Sequence, residues 1–323
     1  MPMEPISDVQ DREQPAAMAS TERPSLAAII WHAIRPHTLT IAMSPVFVGV
    51  SLALLETGGW RVGPFVAALL GAVLIQIGTN LYNDASDYLK GGDVVGRLGP
   101  RRVTAAGWLT PSQVQGGAVL AFALAAWVGL YLIWHGGWPI LIVGAASIVA
   151  GIAYSAGPRP IEFTALGELF VFVFFGPVAV LGTYYLQTGE LSLPAVFVAS
   201  MVGLHAAAVL TVNNHRDRDA DRAVGRVTLA QRLGVVGTRW LYAALVLGPF
   251  ALLLPLAAEQ QLFALPALML PLALLLCRQI AALEPGQALN AILVGTARLQ
   301  FAFALLLTIA ALIAARLAPD DFS

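Results

Sequence analysis

The sequence predicts an all-α membrane protein, a polytopic bundle of about nine transmembrane helices. Three observations predict it. Of 323 residues, 58% are apolar and 11% charged, with a mean hydropathy of +0.76, whereas soluble domains carry about a quarter charged residues. Uncharged apolar runs recur along nearly the whole chain, many near the length of about 20 residues that a helix needs to cross a bilayer. Basic residues gather in alternate connections between these runs. Strands of a membrane barrel would instead show about ten residues of alternating polarity, so the spans are helices.

The elements follow in order. Residues 1–25 begin MPMEPISDVQDREQPAAMASTERP, polar, mixed in charge and without the apolar core of a signal peptide, and they read as a disordered cytoplasmic tail. Residues 26–323 read as a single transmembrane domain. Charges and Gly/Pro clusters bound spans at 38–55, 63–83, 112–134, 139–156, 165–187, 193–213, 239–258, 262–283 and 290–314. Of the 18 basic residues, 15 lie in the tail, the approach to the first span and the even-numbered connections. Arg61 and Arg316 lie on the other side, and Arg298 falls within the last span. Excess Lys and Arg marks the cytoplasmic side, which places the N-terminus and both long connections there and sends the C-terminus outside. The expected location is a bacterial cytoplasmic (inner) membrane, with the lipid bilayer as a partner. A net charge of −1 offers no basic field for nucleic acid. Cys277, the single cysteine, can form no internal disulfide and reads as a small buried hydrophobe.

Two polar clusters stand where apolar spans end. In the first, Asn80, Asn83, Asp84 and Asp87 are spaced i, i+3, i+4, i+7 and share one helical face. Gly91 and Gly92 end that helix and leave Asp93 in the loop. In the second, Asn214, Asp217 and Asp221 fall at i, i+3, i+7 with Asn213 beside them, while Asp219 points elsewhere. Mg²⁺ is held by one or two carboxylates together with phosphate oxygens and water. Two facing acidic helix ends would repel unless cations and a phosphorylated ligand lay between them. Interspersed Arg and Lys would suit the outer phosphate oxygens. The pattern therefore fits departure of a diphosphate. Solvated loop charges are the bland alternative, and an ion-coupled transporter the main rival class; a transporter would place polar groups nearer mid-membrane.

With these residues the chain resembles the UbiA superfamily of intramembrane prenyltransferases, and within it the 1,4-dihydroxy-2-naphthoate polyprenyltransferase branch. The matching stretches are RPHTLTIAMSPVFVG (35–49), QIGTNLYNDASDYLKGGD (76–93), RLGPRRVTAAGWLTP (97–111), AYSAGPRPIEFTALGELFVFVFFGPVAVLGTYYLQTG (153–189) and NNHRDRDADRAVGRVTLAQRLG (213–234). The resemblance implies a UbiA-like helical bundle around a central cavity. It implies Mg²⁺, with Mn²⁺ as a possible substitute, held through Asn83, Asp84, Asp87, Asp217 and Asp221. Asp87, Asp217, Asp221 and Tyr154 are the candidate catalytic residues. Asn80, Lys90, Asp93, Asn213, Asn214, Arg159 and Arg35 are candidate substrate contacts. The general superfamily pattern carries another Asp where this chain has Gly91, and Asp93 two positions on fits the naphthoate branch rather than the 4-hydroxybenzoate branch. The implied partners are a polyprenyl diphosphate and 1,4-dihydroxy-2-naphthoate, whose ring carbon bearing the carboxylate attacks the allylic cation and loses CO₂ to give a demethylmenaquinol. The FVFVFFGP segment (170–177) could line the prenyl groove, and His205 reads as hydrogen-bonded to a neighbouring helix.

Overall fold

The computed structural model describes residues 24–91, 98–99 and 102–317, and among them the regular structure is helical. The expected tail lies almost entirely outside the described residues, as does Asp93. A short helix α1 (Leu26–Ile34) is capped by the Ser25 hydroxyl, which accepts from Ala28 N. It buries Ile29 and Ala33 against Ala85, Val103 and Val114 and leaves Leu26, Ile30 and Trp31 exposed. Arg35, with a left-handed φ of 51°, turns the chain into α2 (Pro36–Thr57). Pro36 suits that start because a first-turn N–H has no helical acceptor.

Helix α3 (Val62–Leu89) carries the first motif at its end, and α4 (Pro111–Ser155) runs for 45 residues. An unbroken helix of that length would extend about 67 Å, more than twice the roughly 30 Å hydrocarbon core. It is not unbroken: Gly137 (φ 67°, ψ −157°) interrupts it, with Pro139 just beyond. A Cβ on Gly151 would stand 3.3 Å from the Phe122 ring, whereas a straight helix would part these residues by about 43 Å. The run therefore folds back on itself as two spans. Among the described residues eight helices are long and apolar enough to cross a membrane, and dividing α4 at Gly137 makes nine, in line with the expected number of about nine.

The next crossing, Gly167–Thr188, consists of α5 (Gly167–Val173), a π-helical stretch Phe174–Leu181 and α6 (Gly182–Thr188). Pro177 offers no N–H to an α-helical ladder, and the wider turn falls around it. Here backbones approach closely: a Cβ on Gly203 of α7 (Leu193–Arg216) would lie 2.6 Å from the Phe172 carbonyl. Helix α7 is the central span, and most of its apolar residues are buried. It packs with α2 and with α9 (Leu229–Glu259) and α11 (Leu289–Leu317) around Val198, Met201, Val202, Leu253 and Phe303. His205 within it lies 3.2 Å from the Val246 carbonyl of α9, the interhelical bond expected of it. Between α7 and α9 lies α8 (Arg218–Ala223). A 3-10 segment (Gln261–Met269) and α10 (Leu270–Ala282) complete the eighth crossing.

Candidate active site

Both motifs end their spans on the same side of the bundle, and one arginine joins them. Arg226, in the connection after α8, donates from Nη2 to Asp87 Oδ1 at 2.5 Å and lies with Nη1 3.3 Å from Asp221 Oδ1. Its guanidinium also stacks 4.7 Å from the Phe163 ring and sits 3.9 Å from Glu162. Arg102 pairs with the other oxygen of Asp87, whose side chain is 1% exposed. Arg216 clamps Asp217, with Nε 2.8 Å from Oδ1 and Nη2 2.5 Å from Oδ2, and donates to Asn213 Oδ1 and Asn290 Oδ1, each at 2.8 Å. Three guanidiniums thus compensate the aspartates that a buried site could not otherwise hold charged.

These groups close one end of a cavity of about 1160 Å³. Pockets for drug-sized ligands span roughly 300–1,000 Å³, so this one admits a longer molecule. Arg35, Asn80, Asn83, Tyr154, Asn213, Asn214, Asp217 and Asp221 line it, and Asp87 lies just behind Arg102 and Arg226. Phe170, Phe174 and Phe175 of the aromatic segment line its apolar part, and Tyr154 packs on Phe170 with ring centroids 6.0 Å apart. Arg298 lines it from α11.

Other expected residues have different surroundings. Asp84 does not face the cavity: its carboxylate accepts from Val103 N at 3.1 Å, Thr104 N at 3.3 Å and the Thr104 hydroxyl. Helical spacing put it beside Asp87, and those loop donors take both of its oxygens, so it pins the loop to α3. Asn80 is also committed: it donates to the Ile34 carbonyl and Thr38 Oγ1 and accepts from Gln76, tying α3 to the α1–α2 corner. Lys90 Nζ donates to the Ser155 carbonyl at 2.6 Å rather than into the cavity, and Arg159 is exposed on the connector.

Sequence reasoning missed Glu162, which is 9% exposed on a 3-10 turn (Ile161–Phe163) and accepts from Asn83 Nδ2 at 2.6 Å. No spacing pattern marks it; only an acid among apolar neighbours in GPRPIEF hints at it. Burial, reinforced by the charge of Asp87, pushes its pKa up to about 8 against the pull of Arg226. Burial likewise raises Asp221 to about 6, with Arg226 opposing. Against its own burial, Arg226 is held above its ordinary pKa by Asp87, Glu162 and Asp221 and stays charged.

Among the described residues no three His, Cys, Asp or Glu side chains gather closely enough to hold an ion alone. The donors are carboxylate and amide oxygens from the two motifs, Asn83 and Asp87 from one and Asn214, Asp217 and Asp221 from the other. This set fits a hard cation that shares its coordination with a phosphorylated ligand.

The UbiA prenyltransferase family model matches residues 42–290, which include both motifs. The chain belongs to that family. It is 38% identical over 226 residues to the 1,4-dihydroxy-2-naphthoate octaprenyltransferase of Escherichia coli (strain K12), covering 67% of this chain and 71% of the relative. The enzyme of the same name from Mycobacterium tuberculosis is 39% identical over 213 residues, covering 66% and 72%. This UbiA-family chain shares its fold with a UbiA homolog from Archaeoglobus fulgidus bound to GPP and Mg²⁺, with a TM-score of 0.67 at 14% identity over 88% of this chain and 99% of that one.

Proposed function

We propose that this UbiA-family enzyme transfers a polyprenyl chain from its diphosphate to 1,4-dihydroxy-2-naphthoate, releasing diphosphate and CO₂ and giving a demethylmenaquinol. The names of the relatives support the acceptor. The observation that carries the reaction type is Arg226 bridging Asp87 and Asp221, which brings both acidic motifs to one end of a long apolar cavity.

Asn83, Asp87, Asp217 and Asp221 would hold Mg²⁺ together with the diphosphate. When bound, the ion neutralises charge that develops on the leaving group. Arg102, Arg216 and Arg226 stand close enough to exchange carboxylate for phosphate oxygens, to which a guanidinium donates in pairs. The C1–O bond breaks with its electron pair leaving on diphosphate. Tyr154 and Phe170 present aromatic faces beside the cavity's polar end, where they attract a cation and exclude water. The ring carbon that carries the carboxylate bonds to C1, and CO₂ departs leaving its electron pair to restore aromaticity. An ion-coupled transporter fits less well, because the acidic groups gather at one end of the bundle.

Purified protein given Mg²⁺ and a prenyl diphosphate is expected to prenylate 1,4-dihydroxy-2-naphthoate and to leave 4-hydroxybenzoate unchanged, read as product by mass spectrometry. Equal turnover of both acceptors would reject the assigned branch. Orientation follows from the distribution of basic residues, with the motif end facing the cytoplasm of a bacterial inner membrane. In a Cys277→Ala background, a cysteine at Gly225 should be labelled only from the cytoplasm and one at Gly137 only from outside. Labelling of both from one side would defeat the assignment.

A further inference from the structure

The connector between α4 and α5 and the first turn of α5 place two buried carboxylates against the motifs. Glu162 is 9% exposed and Glu168 4% exposed. Each accepts a hydrogen bond from the side-chain amide of an asparagine that precedes the aspartates: Asn83 Nδ2 to Glu162 Oε2 at 2.6 Å, and Asn214 Nδ2 to Glu168 Oε1 at 3.0 Å. The arrangement recurs across the two halves of the protein although the partners are 79 and 46 residues apart. Asn83 spends its second N–H on Ser155 Oγ at 2.9 Å, so its amide nitrogen is fully committed.

An amide tied by its nitrogen presents its carbonyl oxygen to whatever lies on the opposite side, and a carboxylate is suited to tie it because it accepts two hydrogen bonds or more on each oxygen. Both asparagines line the cavity. Burying an acid is costly, and the second oxygens, Glu162 Oε1 and Glu168 Oε2, have no hydrogen-bond partner. Packing alone would be served as well by an apolar side chain of similar volume. On the reading of the site given above, we propose that Glu162 and Glu168 are positioning residues: each holds its asparagine amide so that Oδ1 faces the cation bound with the diphosphate. The two asparagines then act as a matched pair of neutral oxygen donors, one from each motif. A rotated amide would turn N–H groups toward the cation instead.

The test separates holding an amide from supplying a charge. Glutamine keeps an acceptor oxygen at the same reach without the charge, whereas alanine removes the acceptor. Binding of inorganic pyrophosphate in the presence of Mg²⁺, followed by calorimetry with no acceptor present, reads the site without turnover. Glu162→Ala and Glu168→Ala should each weaken this binding at least about tenfold, and Glu162→Gln and Glu168→Gln should stay within about threefold of the unaltered protein. In an Asn83→Ala background, Glu162→Ala should add less than about twofold, because its effect runs through Asn83. Should the alanine variants fail to fold, Glu162→Met and Glu168→Met, apolar and close in length, carry the same expectation. Glutamine variants as weak as alanine ones would overturn the proposal in favour of a direct ligand or a charge effect. An undiminished loss in the Asn83→Ala background, or full binding in both alanine variants, would overturn it as well. Absence of Mg²⁺-dependent binding in the unaltered protein would instead reject the diphosphate reading of the whole site, and this inference with it.

Discussion

Asp87→Asn and Asp217→Asn are each expected to lower turnover at least about a hundredfold, a transition-state cost of roughly 2.7 kcal/mol, while Asp219→Asn stays within about threefold. The three residues differ in what surrounds them. Asp87 is 1% exposed between Arg102 and Arg226, and Asp217 is held through both oxygens by Arg216 at the cavity wall. Asp219 is exposed on α8 and does not line the cavity. Asparagine keeps the shape and removes the charge, so a divalent cation loses affinity while the fold survives. Arg226 keeps Asp221 as a partner when Asp87 is neutralised. Asp84→Asn serves as a control of another kind. Its carboxylate serves buried loop donors, so the expected effect is a lower melting temperature, since a stranded buried donor costs about 1–3 kcal/mol. Equal activities for the Asp87, Asp217 and Asp219 variants, at matched expression and thermal stability, would mean that the acidic ends are structural ion pairs and take no part in the chemistry.

Chelation should abolish activity, and Mg²⁺ or Mn²⁺ should restore it. Asp87, Asp217 and Asp221 converge on one cavity end, where Arg102, Arg216 and Arg226 pair with them. A diphosphate entering there would add several negative charges a few ångströms from these carboxylates. At an effective dielectric constant near 20, two like charges 4 Å apart repel by about 4 kcal/mol. The arginines cannot neutralise both sets, so a cation of higher charge density is required between them. Turnover assayed in excess EDTA, and again after each metal is added back, checks this. Full turnover in chelator would remove the ligand role from the aspartates.

The nine spans were legible because a bilayer imposes one requirement on every crossing, a length of apolar helix that satisfies its own backbone. Even the division of the 45-residue run was readable, since Gly137 and Pro139 interrupt an otherwise continuous apolar stretch. The π-helical stretch around Pro177 was not, because a wider turn leaves no mark on hydropathy.

The acidic faces were legible for a similar local reason: i, i+3 and i+7 positions meet on any helix, whatever surrounds it. That spacing put Asp87, Asp217 and Asp221 on helix ends, and in the fold Arg226 lies between Asp87 and Asp221. It also put Asp84 on the same face, but a face is an arc, and a loop 19 and 20 residues away supplies that carboxylate with donors of its own. Glu162 and Arg226 carry no such local signature. The Arg226–Asp87 contact spans 139 residues, and Asn83 meets Glu162 across 79. By itself the sequence determined which segments cross the membrane and which residues share a helical face, because both depend on neighbours within a few turns. Only the tertiary structure decided which carboxylate meets the cavity, which caps a loop and which arginine joins the two motifs, because a buried polar group takes its partner from whatever packing brings within hydrogen-bond reach.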